Sequence, residues 1–211
     1  MLSIVLLSTS IIFLSSIIVF SLMKKTMKLS IPSTVVLSVA GFTYLLMYFF
    51  GSVDNLRVLR YMDWFITLPI LIYQMMTFME KKFFCNKNII ITTILTLLML
   101  VFGFLGELNF SDNWPLVVDG QLWDLRPEEF KVVCGFMGIG FGGNVFLFLS
   151  YGVRKNTIKF FLLVLLLWSW YPIIYFFSDN INTIIGYSII DLIAKIGSSF
   201  YIDNRRLVHD N

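Results

Sequence analysis

Hydrophobic residues run through this chain in seven blocks of about 20 positions, each long enough as a helix to cross a hydrocarbon core of roughly 30 Å. The blocks extend from Ser3 to Met23, Ile31 to Phe50, Val58 to Met79, Ile89 to Leu108, Phe130 to Tyr151, Ile158 to Phe177 and Ile181 to Ile202. Little sequence is left between them. The pattern therefore predicts an all-α membrane protein, a seven-transmembrane-helix bundle occupying residues 1–211 as one domain without internal repeats. The first block has no basic segment ahead of it and no small-residue cleavage site after it, so it is expected to be a retained span.

Composition agrees: 58% hydrophobic and 14% charged residues exclude an ordinary soluble domain. Charge adds an orientation. Basic residues cluster after the odd-numbered blocks (Lys24, Lys25, Lys28; Lys81, Lys82, Lys87; Arg154, Lys155, Lys159; Arg205, Arg206), while Asp54, Glu107, Asp112, Asp119, Asp124 and Asp179 mark the opposite side. By the positive-inside rule the N-terminus is outside and the C-terminus cytoplasmic. The net charge of +3 then reports topology, and no nucleic-acid partner is implied. Cys85 and Cys134 fall too far apart in this topology to pair, the lone His209 has no partners for a metal site, and no enzyme-like catalytic constellation is present.

Two blocks carry charge in their interiors. In the last, IIDLIAKIGSSF places Asp191 and Lys195 four residues apart on one helix face. A lysine at a bilayer centre costs about 2.5 to 3.5 kcal/mol on insertion scales, and such residues are usually functional. A self-neutralising structural pair is the alternative. In the third block, Arg60, Asp63, Thr67 and Gln74 fall at offsets 0, 3, 7 and 14, one polar stripe at the helical period. Arg60, Asp63, Asp191 and Lys195 sum to zero charge, which predicts that spans three and seven pack together with these four facing one another. Hydroxyls in the first two spans, Tyr44 among them, are expected to bond backbone carbonyls or neighbouring helices. Gly138 and Gly142 suggest close helix packing. The VVDGQLW stretch of the longest outer loop suggests a hairpin, and Asp112, Asp119 and Asp124 a solvated acidic surface.

Arg60-Tyr61-x-Asp63-Trp64-x-x-Thr67-x-Pro69, Trp168-x-x-Tyr171-Pro172-x-x-Tyr175 and Asp191-x-x-x-Lys195 together resemble the microbial (type I) rhodopsins. Tyr175 stands where that family more often has tryptophan. The resemblance implies all-trans retinal held covalently as a Schiff base on Lys195, with Asp63 and Asp191 as counterions, Asp63 as proton acceptor, and Arg60 on the proton-release side. It also implies a pocket of Trp64 and Trp168 on the polyene faces, Tyr171 and Tyr175 near the ring, and Thr67, Leu71, Met99 and Pro172 on the walls. The glycines of span five, Gly135 to Gly143, offer a second reading as room for the retinal ring or a carotenoid. Leu71 matches a position where leucine accompanies green absorption.

Family pattern also bears on transport. A carboxylate at Asp63 disfavours an anion pump, and Thr67 departs from the sodium-pump pattern. Gln74 occupies the position where efficient proton pumps keep a carboxylic donor, and an amide does not titrate. The resemblance therefore implies an outward light-driven proton pump with slow reprotonation, a light-gated cation channel as the alternative, and a sensory photoreceptor third. The implied setting is multi-pass insertion in a plasma membrane or other host cell membrane, with protons or small cations as cargo and a homo-oligomer, trimer or pentamer, as assembly. The compact chain, rich in Ile, Phe, Lys and Asn, is similar in composition to rhodopsins of large algal viruses, some of which are channels.

Overall fold

α1, Leu2–Leu22, and α6, Ile158–Phe177, are apolar around their whole circumference. In hydrocarbon such a segment folds as a helix because every peptide group must be satisfied internally. The computed structural model describes residues 2–22, 30–77, 83–108, 127–155, 157–177 and 180–209. Between α1 and α6 lie α2, Ile31–Phe49, α3, Val53–Met76, α4, Asn86–Leu108, and α5, Pro127–Ser150. The described chain closes with α7, Asn180–Asp191, a π-helical turn, Leu192–Ile196, and α8, Gly197–His209. Asp191 and Gly197 both keep right-handed helical backbone beside the π turn, so these three segments form one continuous rod. The described residues thus form the seven rods that the hydrophobic blocks predict.

Helix ends exceed the blocks where polar residues continue the helix. The third rod starts at Val53, not Val58, because Ser52 caps it by accepting the Asn55 N–H. The last continues past Ile202 to His209. Hydropathy marks the hydrocarbon-facing part of a helix, and capping marks its end. Six rods are long and apolar enough to cross a membrane, whereas α3 falls outside that group. The difference lies in its buried Arg57, Arg60 and Asp63. Pro69 and Pro172 lie inside α3 and α6, tolerated where bundle neighbours re-satisfy freed backbone groups. Large apolar side chains such as Ile31 (82%) and Leu22 (79%) point outward, a surface suited to lipid.

From α1 to α5 each helix packs on the next, and the last rod closes the bundle against α1, α2, α3 and α6. Spans three and seven therefore meet, as the buried charges require. At the α1–α2 crossing the Ser10 hydroxyl donates to the Gly41 carbonyl at 2.8 Å, and a Cβ on Gly41 would come within 2.9 Å of Leu14. The VVDGQLW stretch, Asp112, Asp119, Asp124, Asp179 and Lys24, Lys25, Lys28, Lys81 and Lys82 lie outside the described residues.

Candidate functional site

α3 and the last rod bring Asp63, Asp191 and Lys195 together at the middle of the bundle, each at most 1% exposed. The Lys195 ammonium donates to Asp63 Oδ2 in a very close contact and lies 3.4 Å from Asp191 Oδ2. The two carboxylates differ in what else holds them. Asp191 accepts the Tyr171 hydroxyl at 2.6 Å, the Tyr44 hydroxyl at 3.0 Å and the Trp64 indole N–H at 3.1 and 3.2 Å. Asp63 Oδ1, equally buried, has no partner among the described residues. Multiple donors stabilise a carboxylate as the anion. Asp191 is therefore the carboxylate engaged by donors on both oxygens, while Asp63 keeps one oxygen without a partner among the described residues.

Tyr44 follows the neighbouring-helix half of the sequence reading: its hydroxyl reaches from α2 to the last rod, where its partner is the buried carboxylate of Asp191. Thr67 does bond to backbone, donating to the Asp63 carbonyl at 2.9 Å. In doing so it faces the charged site and not the cavity.

Arg60 requires a larger correction. Its Nη2 pairs with Glu107 Oε2 at 2.6 Å, and Glu107 is itself 6% exposed. The guanidinium lies 4.3 Å from the Tyr187 ring centroid and 5.5 Å from that of Trp64, within cation–π range. Arg60 thus belongs to a separate pair on the Glu107 side of the bundle, and the expected quartet is a triad. Glu107 read as a loop acid because it falls near the end of α4, whereas α3–α4 packing carries it inward. Glu107→Gln should leave the arginine charge uncompensated and cost about 3 to 5 kcal/mol of stability. A lowered thermal midpoint in detergent would show this, with partial recovery in the Arg60→Gln, Glu107→Gln double variant.

Beside the triad lies a cavity of about 260 Å³ between α3, α4, α5 and α6, with Tyr187 contributed by α7. Trp64, Met99, Trp168, Tyr171, Pro172 and Tyr175, all expected on its wall, line it. Thr67 and Leu71 do not. The cavity face of α3 is instead Tyr61, Trp64 and Leu68, and Leu71 lies one turn beyond Leu68 in the apolar core. Gly138 and Gly142 pack closely on α4, as expected, since Cβ atoms on them would come within 3.4 Å of the Met99 carbonyl and 2.9 Å of its sulfur, and both line the cavity. Trp64 and Tyr171 border the cavity and also bond Asp191, so cavity and charged triad share a wall.

Leu68, Phe146 and Tyr187 line the cavity without having been singled out in the sequence, and Tyr61, quoted there as part of the span-three motif but given no place on the wall, lines it too. The Tyr61 position beside Arg60, on the helix face of Trp64, was the available signal. Gln74 is fully buried and donates to Ser33 Oγ at 2.7 Å. An apolar, aromatic-walled cavity beside a buried amine and two carboxylates fits a long conjugated aldehyde: the walls suit the polyene, and the carboxylates suit a cation at its nitrogen end.

A seven-helix membrane bundle with a lysine–carboxylate triad against an aromatic cavity defines a class of integral, multi-pass chromophore-type site. The sequence model of the bacteriorhodopsin-like protein family matches residues 1–205, and the chain belongs to that family, whose members bind retinal as chromophore. The green-light absorbing proteorhodopsin of gamma-proteobacterium EBAC31A08 is 24% identical over 157 residues, 68% of this chain. The match spans 58% of that relative's length, under two thirds. Among solved structures, the proton pumping rhodopsin AR2 of the marine alga Acetabularia acetabulum superposes with TM-score 0.77 at 17% identity, covering 100% of this chain and 96% of that one. The viral rhodopsin OLPVRII gives 0.75 at 17% identity and 95% coverage of both chains. At these identities the structures establish the shared fold.

Proposed function

We propose that this protein holds all-trans retinal covalently on Lys195 and works as an outward light-driven proton pump whose dark-state recovery is slow. The observation that carries this reading is the asymmetry of the carboxylates: Asp191 saturated by donors, Asp63 paired with Lys195 and keeping one unpartnered oxygen. When bound as a Schiff base, retinal supplies a light-driven isomerisation that reorients the proton on the lysine nitrogen.

The chain's own residues do the rest. Asp191 keeps the resting cation compensated, Asp63 accepts the proton, and Trp64, Trp168 and the surrounding apolar walls exclude water from the transfer. Arg60, paired with Glu107, lies toward the outer side given by the charge bias, where a proton would leave. Gln74 orients hydroxyls but stores no proton. The proton that replaces the lost one therefore comes ultimately from cytoplasmic water. AR2, whose fold this chain shares, is a proton pumping rhodopsin, which supports protons as the cargo.

Illuminated cells expressing the protein should acidify an unbuffered medium, an effect that a protonophore removes. Recovery of the visible absorbance after a flash should lengthen as pH rises. Fast recovery indifferent to pH would reject slow reprotonation. A second reading, a light-gated cation channel, draws on the buried polar chain at the Gln74 end of the bundle, where Gln74 bonds Ser33 and Ser30.

A further inference from the structure

Asp203 is a buried carboxylate, 1% exposed, that the site above does not use. It continues a series: Asp191, Lys195, Ser199 and Asp203 recur every four residues along the last rod, and all four are buried. In a regular α-helix a four-residue spacing drifts steadily around the axis. The wider π turn at Leu192–Ile196 takes up part of that drift, so the four stay on an inward face. Asp203 lies eight residues beyond Lys195, about 12 Å along the helix. Its neighbour Asn204 is exposed.

A cluster of polar groups from α3 and the start of α2 lies beside Asp203. The Ser30 backbone N–H donates to Asp203 Oδ2 at 3.0 Å, the Ser30 hydroxyl donates to Ser33 Oγ at 3.0 Å, and Gln74 Nε2 donates to Ser33 Oγ at 2.7 Å. Asp203 Oδ1, Ser199 Oγ and Gln74 Oε1, all buried, have no partner among the described residues. Serine and glutamine carry no carboxyl proton, so Asp203 is the carboxyl of this group among the described side chains. Lys195, two turns inward, is the next charged residue on the same face of its rod.

We propose that Asp203 is the internal proton store for the return of a proton to the nitrogen carried by Lys195, in place of the carboxyl that Gln74 does not supply. In that step the Asp203 O–H bond breaks and an N–H bond forms on the lysine nitrogen. The hydroxyl of Ser199 and the Gln74–Ser33 pair line the route, and the Asp203 carboxylate then takes a proton from water beyond Asn204. The store rests on the Schiff-base attachment that the proposed function gives Lys195.

Asp203→Asn keeps an oxygen for the Ser30 N–H, so the helix contact survives while the store is lost. Flash recovery in this variant should slow by at least about tenfold, within the range a positioned acid contributes. Azide, a small diffusible acid, should restore it, Asp203→Glu should recover part of it, and a carboxyl band in the wild-type light-minus-dark infrared difference should vanish. Unchanged recovery with that band intact would overturn the proposal. Recovery that follows sodium concentration at fixed pH would assign the cluster to a cation and also overturn it. Acidification is measured in parallel. If the wild type acidifies and Asp203→Asn recovers normally, the store alone is rejected. If recovery slows but no acidification occurs, the pump is rejected and the store stands.

Discussion

Lys195→Ala should abolish the pigment. Wild-type protein reconstituted with all-trans retinal should develop a visible band that borohydride fixes to the peptide containing Lys195, since an imine is reducible to a stable amine. The alanine variant should show neither, because among the described residues Lys195 is the one amine paired with both Asp63 and Asp191. Removing the lysine also leaves two buried carboxylates without their cation, a loss on the scale of about 3 to 5 kcal/mol. The companion variant Lys195→Ala with Asp63→Asn lowers that burden and tests attachment in a chain more apt to fold. If either folds and still forms a visible pigment that resists hydroxylamine, attachment at Lys195 is wrong.

Asp63→Asn and Asp191→Asn should fail in different ways. Loss of Asp63 removes the carboxylate with the unpartnered oxygen but leaves Asp191 to compensate the lysine. Pigment should therefore form, while light-driven acidification falls by about two orders of magnitude or more, as expected when a positioned proton acceptor is lost. Loss of the Asp191 charge instead turns an amide toward the donors Tyr44, Trp64 and Tyr171, where its NH2 group meets an indole N–H that cannot accept and tyrosine hydroxyls that must stop donating in order to accept. That variant should lose pigment yield and thermal stability before transport is measured. Equal losses of transport with equally stable pigment in both variants would remove the distinction between the two carboxylates.

The fold was legible because its signals are local. Seven apolar blocks mark seven rods, and α3 is recognisable despite its charges because Arg60, Asp63, Thr67 and Gln74 keep a helical period. The triad was legible for a related reason, since Asp63, Asp191 and Lys195 each stand alone among apolar residues. Glu107, Tyr44 and Asp203 were not. Each reads locally as a helix-end acid or a routine hydroxyl, and only packing of one helix on another gives it a buried partner: Arg60, Asp191 and the Ser30 N–H respectively. The charge count failed at the same point. It took hydropathy as a measure of depth, while buried Arg57, Glu107 and Asp203 lie toward the helix ends. The cavity wall was readable on α6, where Trp168, Tyr171, Pro172 and Tyr175 stand in one motif. It was less so on α3, where Leu71 continues the helical face of Trp64 and Leu68 but sits a turn beyond the cavity.

The direct test of the account is the stationary photocurrent of the wild-type protein under voltage clamp, with proton and cation gradients varied. The pump predicts an outward current at every potential, indifferent to replacement of sodium or potassium and lost in Asp63→Asn. A current that reverses at a potential set by the cation gradient would identify a channel, and a pigment that cycles without current would identify a sensor; either result would contradict the account.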